Sequence, residues 1–118
     1  MLALSSSCRY FLYTQPIMIS SSFYKLAAIV NQQMHLDPLT GDVYIFFNRR
    51  ATHIKLLQWQ QDGFAIYYKR LEKGTFEIPK PGGVQPSLTS TQLMLILQGI
   101  QMDKIQYRRR YFRQSADH

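Results

Sequence analysis

Five consecutive residues, Val43-Tyr44-Ile45-Phe46-Phe47, constrain this chain more than any other stretch. All are β-branched or aromatic, so a strand built from them has no face suited to water. Such a strand belongs in the middle of a sheet, and the rest of the chain must supply its neighbours. Two follow directly: His53-Ile54-Lys55-Leu56-Leu57-Gln58-Trp59 and Phe64-Ala65-Ile66-Tyr67-Tyr68-Lys69-Arg70-Leu71. Asp62-Gly63 between them is a strong hairpin signal, because both positions of a tight two-residue turn need positive φ. Glu72-Lys73-Gly74 reads as a further turn, returning the chain through Thr75-Phe76-Glu77-Ile78, where a short extra strand has room.

Upstream, Ser5-Ser6-Ser7 belongs to a loose end, and Arg9 to Thr14 reads as a short aromatic strand closed by Pro16. Ser20-Ser21-Ser22 offers N-caps for a helix running to about Met34, with Phe23, Leu26, Ala27, Val30 and Met34 on one helical face. Asp37-Pro38-Leu39-Thr40-Gly41 is turn chemistry. Downstream, the run from Pro79 to Pro86 is an irregular loop. Thr89 then starts a second helix as N-cap, with Gln92 completing a capping box and Leu88 and Leu93 a hydrophobic staple. Leu93, Ile96, Leu97 and Ile100 form its core face, and Gly99 ends it. The order β-α-β-β-β-α predicts a single small α+β domain over residues 1–102. Its antiparallel sheet would hold about four to five strands, with two helices on one face. Residues 103–118 read as a basic, flexible tail.

The 118 residues carry 14 Lys and Arg against 7 Asp and Glu, a net charge of +7. The excess lies late: residues 42–80 hold seven bases against four acids and residues 81–118 five against two. A folded domain this basic attracts polyanions, with nucleic acid the default partner. Cys8 is the only cysteine, so there is no internal disulfide and no thiolate cluster for a metal, which fits the cytoplasm. The first 14 residues lack the basic start and unbroken apolar run of a signal peptide, and no stretch approaches a membrane span.

Catalytic chemistry finds little support. Cutting DNA with two metal ions needs about three clustered carboxylates. The acids here are Asp37, Asp42, Asp62, Glu72, Glu77, Asp103 and Asp117; most sit in turns or the tail. His35, His53 and His118 are far apart, and neither a nucleophile elbow nor a phosphate-binding glycine loop occurs. No catalytic residue, metal ligand or cofactor is expected. The bases are more informative. A two-residue turn at Asp62-Gly63 sets Lys55 opposite Arg70, and a three-residue loop sets it opposite Lys69. Either places like charges across a strand pair, tolerable where an anion visits. Arg49 and Arg50 extend this patch, Arg108, Arg109 and Arg110 supply a basic arm, and Trp59, Tyr67 and Tyr68 are candidates for stacking on bases. Against this stands the reading that the long cations snorkel along an exposed face and Trp59 packs in the core.

The motifs from Gly41 to Arg50, Ile54 to Leu57 with Trp59, Asp62-Gly63-Phe64, Tyr68 to Glu72 and Gly74-Thr75-Phe76, followed by the late helix, form an ordered set. Over roughly residues 9–102 it resembles the TnpB (second open reading frame) family of insertion sequences of type sixty-six, not the larger RNA-guided nuclease of the same short name. One segment departs. Where that family reads Thr-Asp-Met-Arg-Lys-Gly/Ser-Phe-Asp-Gly-Leu, this chain has residues 17–26, keeping Phe23 and Leu26 but carrying Met18, Ser20 and Ser21 in place of charges. The resemblance implies a non-catalytic accessory protein that supports transposition, with DNA and the element's own transposase as partners. The competing expectation is a subunit that docks on the transposase without touching DNA. Edge strands could also pair between copies into a homo-oligomer.

Overall fold

The computed structural model describes residue 5, residues 7–79 and residues 87–99. The expected tail 103–118, the domain limit at 102 and Arg108, Arg109 and Arg110 lie outside the described residues. Along the chain run β1 (Tyr10–Leu12), α1 (Phe23–Gln32), β2 (Val43–Phe47), β3 (His53–Trp59), β4 (Phe64–Arg70), β5 (Ser87–Leu88) and α2 (Ser90–Leu97). They form an α+β fold with one five-stranded sheet in the order β4-β3-β2-β1-β5.

The sheet is mixed, where an antiparallel one was expected. β1 pairs with β2 in parallel, Tyr10 beside Val43 and Leu12 beside Ile45, while the other pairings are antiparallel. The reason is α1: a helical crossover brings the chain back in its starting direction, so the strands on either side of it are parallel. The segment Thr75–Ile78 is no strand. Instead Phe76 turns inward against Phe47, ring centres 5.9 Å apart, and its N–H donates to the Ala51 carbonyl at 2.7 Å. The fifth strand, Ser87–Leu88, pairs with β1, and the expected irregular loop over residues 80–86 lies outside the described residues.

Both faces of the sheet are covered, which corrects the expectation of two helices on one face. All five β2 side chains are buried, and the pleat sends them alternately to two cores. Val43, Ile45 and Phe47 meet Tyr10, Leu12, Ile54, Leu56, Phe76 and the α2 residues Leu93 and Ile96. Tyr44 and Phe46 meet Phe11, Leu57 and the α1 residues Leu26 and Val30. A strand with two apolar faces needs a cover on each, and burial of each large apolar side chain contributes about 1.5–3 kcal/mol.

The helices start differently. At α2, Thr89 Oγ1 accepts the Gln92 N–H at 3.1 Å and Gln92 Oε1 accepts the Thr89 N–H at 2.9 Å. Gly99, at φ +75°, closes it with its N–H on the Ile96 carbonyl. Ser22 is the N-cap of α1, yet its side chain makes no capping bond. Helix α1 ends at Gln32, two residues short of the expected Met34, with His35 in the left-handed region at φ +57°. Phe23, expected on the buried face, is 43% exposed.

Where the crossover ends, Asp42 ties β2 to β1. Its carboxylate accepts the Arg9 main-chain N–H, two guanidinium N–H groups at 2.8 and 3.2 Å, and the Thr40 hydroxyl at 2.9 Å. Burial alone would raise this carboxyl, but the Arg9 and Thr40 hydrogen bonds outweigh it and hold Asp42 below the usual carboxylate range.

Candidate nucleic-acid interface

The β2–β3 connection is a turn built on one side chain. Asn48 Oδ1 accepts the N–H groups of Thr52 at 2.9 Å and His53 at 3.0 Å, while its Nδ2 donates to Thr52 Oγ1 at 2.9 Å. The Ala51 N–H closes on the Asn48 carbonyl, with Ala51 itself at φ +56°. A side chain that spans its own turn in this way satisfies the backbone on the far side, leaving the two residues at the tip free to face solvent. These are Arg49 and Arg50, both exposed. The tip is clipped to the chain beyond β4 by the Leu71 N–H on the Thr52 carbonyl and the Phe76 N–H on the Ala51 carbonyl.

Arg70, also exposed, lies across from His53 at the same end of the sheet. The His53 ring stacks on Tyr68, centres 5.8 Å apart and planes 15° apart, and Tyr68 is 47% exposed. The structure thus brings together Arg49, Arg50, Arg70, His53 and Tyr68. Among the described residues none of the three guanidinium groups is paired with a carboxylate; the ion pair seen there is Arg9–Asp42.

The two lysines of the expected patch are placed otherwise. Observed pairing sets Lys55 opposite Tyr68, neither Arg70 nor Lys69. The hairpin tip is Gln61-Asp62, one residue earlier than Asp62-Gly63, with Gln61 at φ +71° and the Gln60 N–H on the Gly63 carbonyl. Moving a two-residue tip back by one shifts each partner by two, which keeps the faces and removes the Lys55–Arg70 opposition. It also sets Trp59 edge-on to Phe64, ring centres 5.0 Å apart. The Lys55 amine is buried, donating to the carbonyls of Ile19 at 2.5 Å and Ser21 at 3.0 Å, and lies 5.3 Å from the centre of the Tyr68 ring. Lys69 points to the other face and donates to the Leu97 carbonyl at 2.7 Å, where a cation complements the C-terminal end of α2.

The aromatic candidates also separate. Tyr67 is half-buried against the α2-side core. Trp59, half-buried, stands at the far end of β3 beside an open cleft of about 480 Å³ lined by Leu39, Thr40, Gln58, Gln60 and Gln61, with no charged side chain among the described residues. Only Tyr68 joins the arginine end. His53 and Asn48 escaped the sequence reading. An Asn that closes a strand and opens a turn is the signal that could have found Asn48, and strand alternation with Lys55 could have found His53. Among the described residues no group of three or more His, Cys, Asp or Glu could hold a metal ion, and no helix is long and apolar enough to cross a membrane.

A family model described as IS66 Orf2 like protein matches residues 8–107. Two relatives come from Sinorhizobium fredii (strain NBRC 101917 / NGR234). Uncharacterized protein y4hO is 28% identical over 100 residues, 85% of this chain and 87% of the relative. Uncharacterized protein y4jC is 24% identical over 105 residues, 89% of this chain and 90% of the relative. No solved structure matches.

Proposed function

Because the chain belongs to the IS66 Orf2-like family, whose members are accessory proteins of transposition, we propose that it holds DNA through the arginine end of its sheet and so helps assemble the transposition complex in the cytoplasm. The observation that carries this reading is the set of three exposed guanidinium groups, Arg49, Arg50 and Arg70, at one end of the sheet beside Tyr68. Arginine suits phosphate binding because its planar fork matches the geometry of the anion. Three such contacts attract a polyanion without reading its sequence. Tyr68 and His53 add ring surface on which an unpaired base could stack. The transposase of the same element is the natural protein partner.

A second reading, docking on the transposase without DNA, draws on a different observation. Met18, Phe23 and Tyr24, around the start of α1, are 70%, 43% and 84% exposed, and clustered apolar surface of this kind marks protein contacts.

Binding of the full chain to a labelled duplex from the element's end, and to a scrambled duplex, across a salt series separates the two. Replacing Arg49, Arg50 and Arg70 by Ala should weaken binding to both duplexes and lower the salt slope by about three. Lys69→Ala, which alters a cation bound to a helix carbonyl, should leave the slope unchanged. No binding at low salt would remove the DNA role and leave transposase docking.

A further inference from the structure

The sheet has two edges of unequal kind. Among the described residues β5, at one edge, covers two residues, while β4, at the other, runs seven residues from Phe64 to Arg70. β4 contains no proline, and all seven of its residues pair with β3 in continuous register without a bulge. Of the devices that normally blunt an edge strand, β4 carries only its charged end, Lys69 and Arg70.

Which main-chain groups face outward follows from the ladder. The Gln60 N–H bonds to the Gly63 carbonyl and the Leu71 N–H to the Thr52 carbonyl. Hydrogen-bonded pairs alternate along an antiparallel ladder, so Ala65, Tyr67 and Lys69 turn their N–H and C=O groups to β3. Phe64, Ile66, Tyr68 and Arg70 turn theirs away from the sheet. Among the described residues nothing bonds to these outward groups.

We propose that β4 pairs antiparallel with β4 of a second copy of this chain, forming a two-fold dimer with a continuous ten-stranded sheet. Outward-facing residues must meet outward-facing residues. The register that overlaps the whole strand does this, setting Phe64 against the second copy's Arg70 and Ile66 against its Tyr68, with Tyr67 against Tyr67 on the axis. Four bonded pairs then supply about eight main-chain hydrogen bonds. The cations favour the same arrangement. Lys69 and Arg70 lie together at one end of the strand, so antiparallel pairing sends the two sets to opposite ends, Lys69 facing Ala65 and Arg70 facing the Phe64 ring. Parallel pairing would oppose like charges. This pairing does not depend on DNA binding.

Sedimentation equilibrium of the full chain over a concentration series tests it. The unaltered chain should show a monomer–dimer equilibrium. Tyr68→Pro removes an outward N–H that β3 does not use, together with the ring stacked on His53, so it should abolish the dimer while circular dichroism reports an intact fold. Ala65 faces Lys69 of the other copy twice per dimer; Ala65→Glu should tighten association about tenfold and Ala65→Lys weaken it by about as much. The Ala65 pair decides the matter if the proline variant fails to fold. A monomer up to about 100 µM, or a dimer indifferent to the charge at residue 65, would overturn the proposal.

Discussion

The two helices reach comparable places by opposite means. Helix α2 carries its start and stop within its own sequence, a reciprocal Thr89–Gln92 box and Gly99. Helix α1 has a serine at its N-cap that caps nothing; its start is braced by the amine of Lys55, more than thirty residues away along the chain. Ser21, next to that start, has a buried hydroxyl with no hydrogen-bond partner among the described residues. Local sequence therefore defines α2, and the assembled sheet defines α1.

Four experiments put this contrast at risk. The largest effect comes where the two helices should agree, in the cores. Leu26→Ala under α1 and Leu93→Ala under α2 each empty a fully buried site and should each cost about 2–5 kcal/mol in urea unfolding. A much smaller loss for Leu26 would mean that α1 packs loosely.

Next is the brace. Lys55→Met keeps the stem but strips the Ile19 and Ser21 carbonyls of their donor, at a cost of about 1–3 kcal/mol. Hydrogen exchange should rise in α1 and not in α2; equal change in both would show that the lysine supports the sheet at large.

The third concerns acid. Asp42 closes the crossover that contains α1, and its folded-state pKa is depressed. Its stabilisation is therefore fully present above the unfolded carboxylate value of about 3.9 and is lost as pH falls through the lower folded value. Denaturation midpoints measured between pH 6 and pH 3 should fall less steeply for Asp42→Asn than for the unaltered chain. Parallel curves would mean that other carboxylates govern acid unfolding.

The smallest effect is the most direct contrast. Thr89→Ala should cost about 1 kcal/mol, whereas Ser22→Ala should change stability by no more than a few tenths. Equal losses would erase the distinction.

What could be read in advance follows the same division. The limits of β2 and β3, the cap of α2 and its closing glycine are local patterns, and each is found where the sequence places it. The faces covered by the helices are tertiary facts, although the two apolar faces of β2 already demanded a cover on each side. For the candidate interface, Arg70, expected opposite Lys55, lies across from His53, while Arg49 and Arg50 were legible as cations at the end of β2. Lys55 and Lys69 were not, because whether an ammonium group meets a carbonyl depends on residues 36 and 28 positions distant. The parallel β1–β2 pairing was hidden for a similar reason: three residues carry too little pattern to announce their neighbour.

That three-residue strand lies between β2 and β5, so the sheet joins early chain to late chain. During synthesis, β2, β3 and β4 can zip into a meander as they emerge, since each neighbour follows within a few residues. The wall formed by Tyr10, Val43, Ile45 and Leu56 stays bare until Leu93 and Ile96 have left the ribosome. The nascent protein therefore carries an uncovered apolar sheet face from the emergence of β4 until that of α2. That interval is when capture by a chaperone, or by a neighbouring nascent copy, would decide the yield of folded protein.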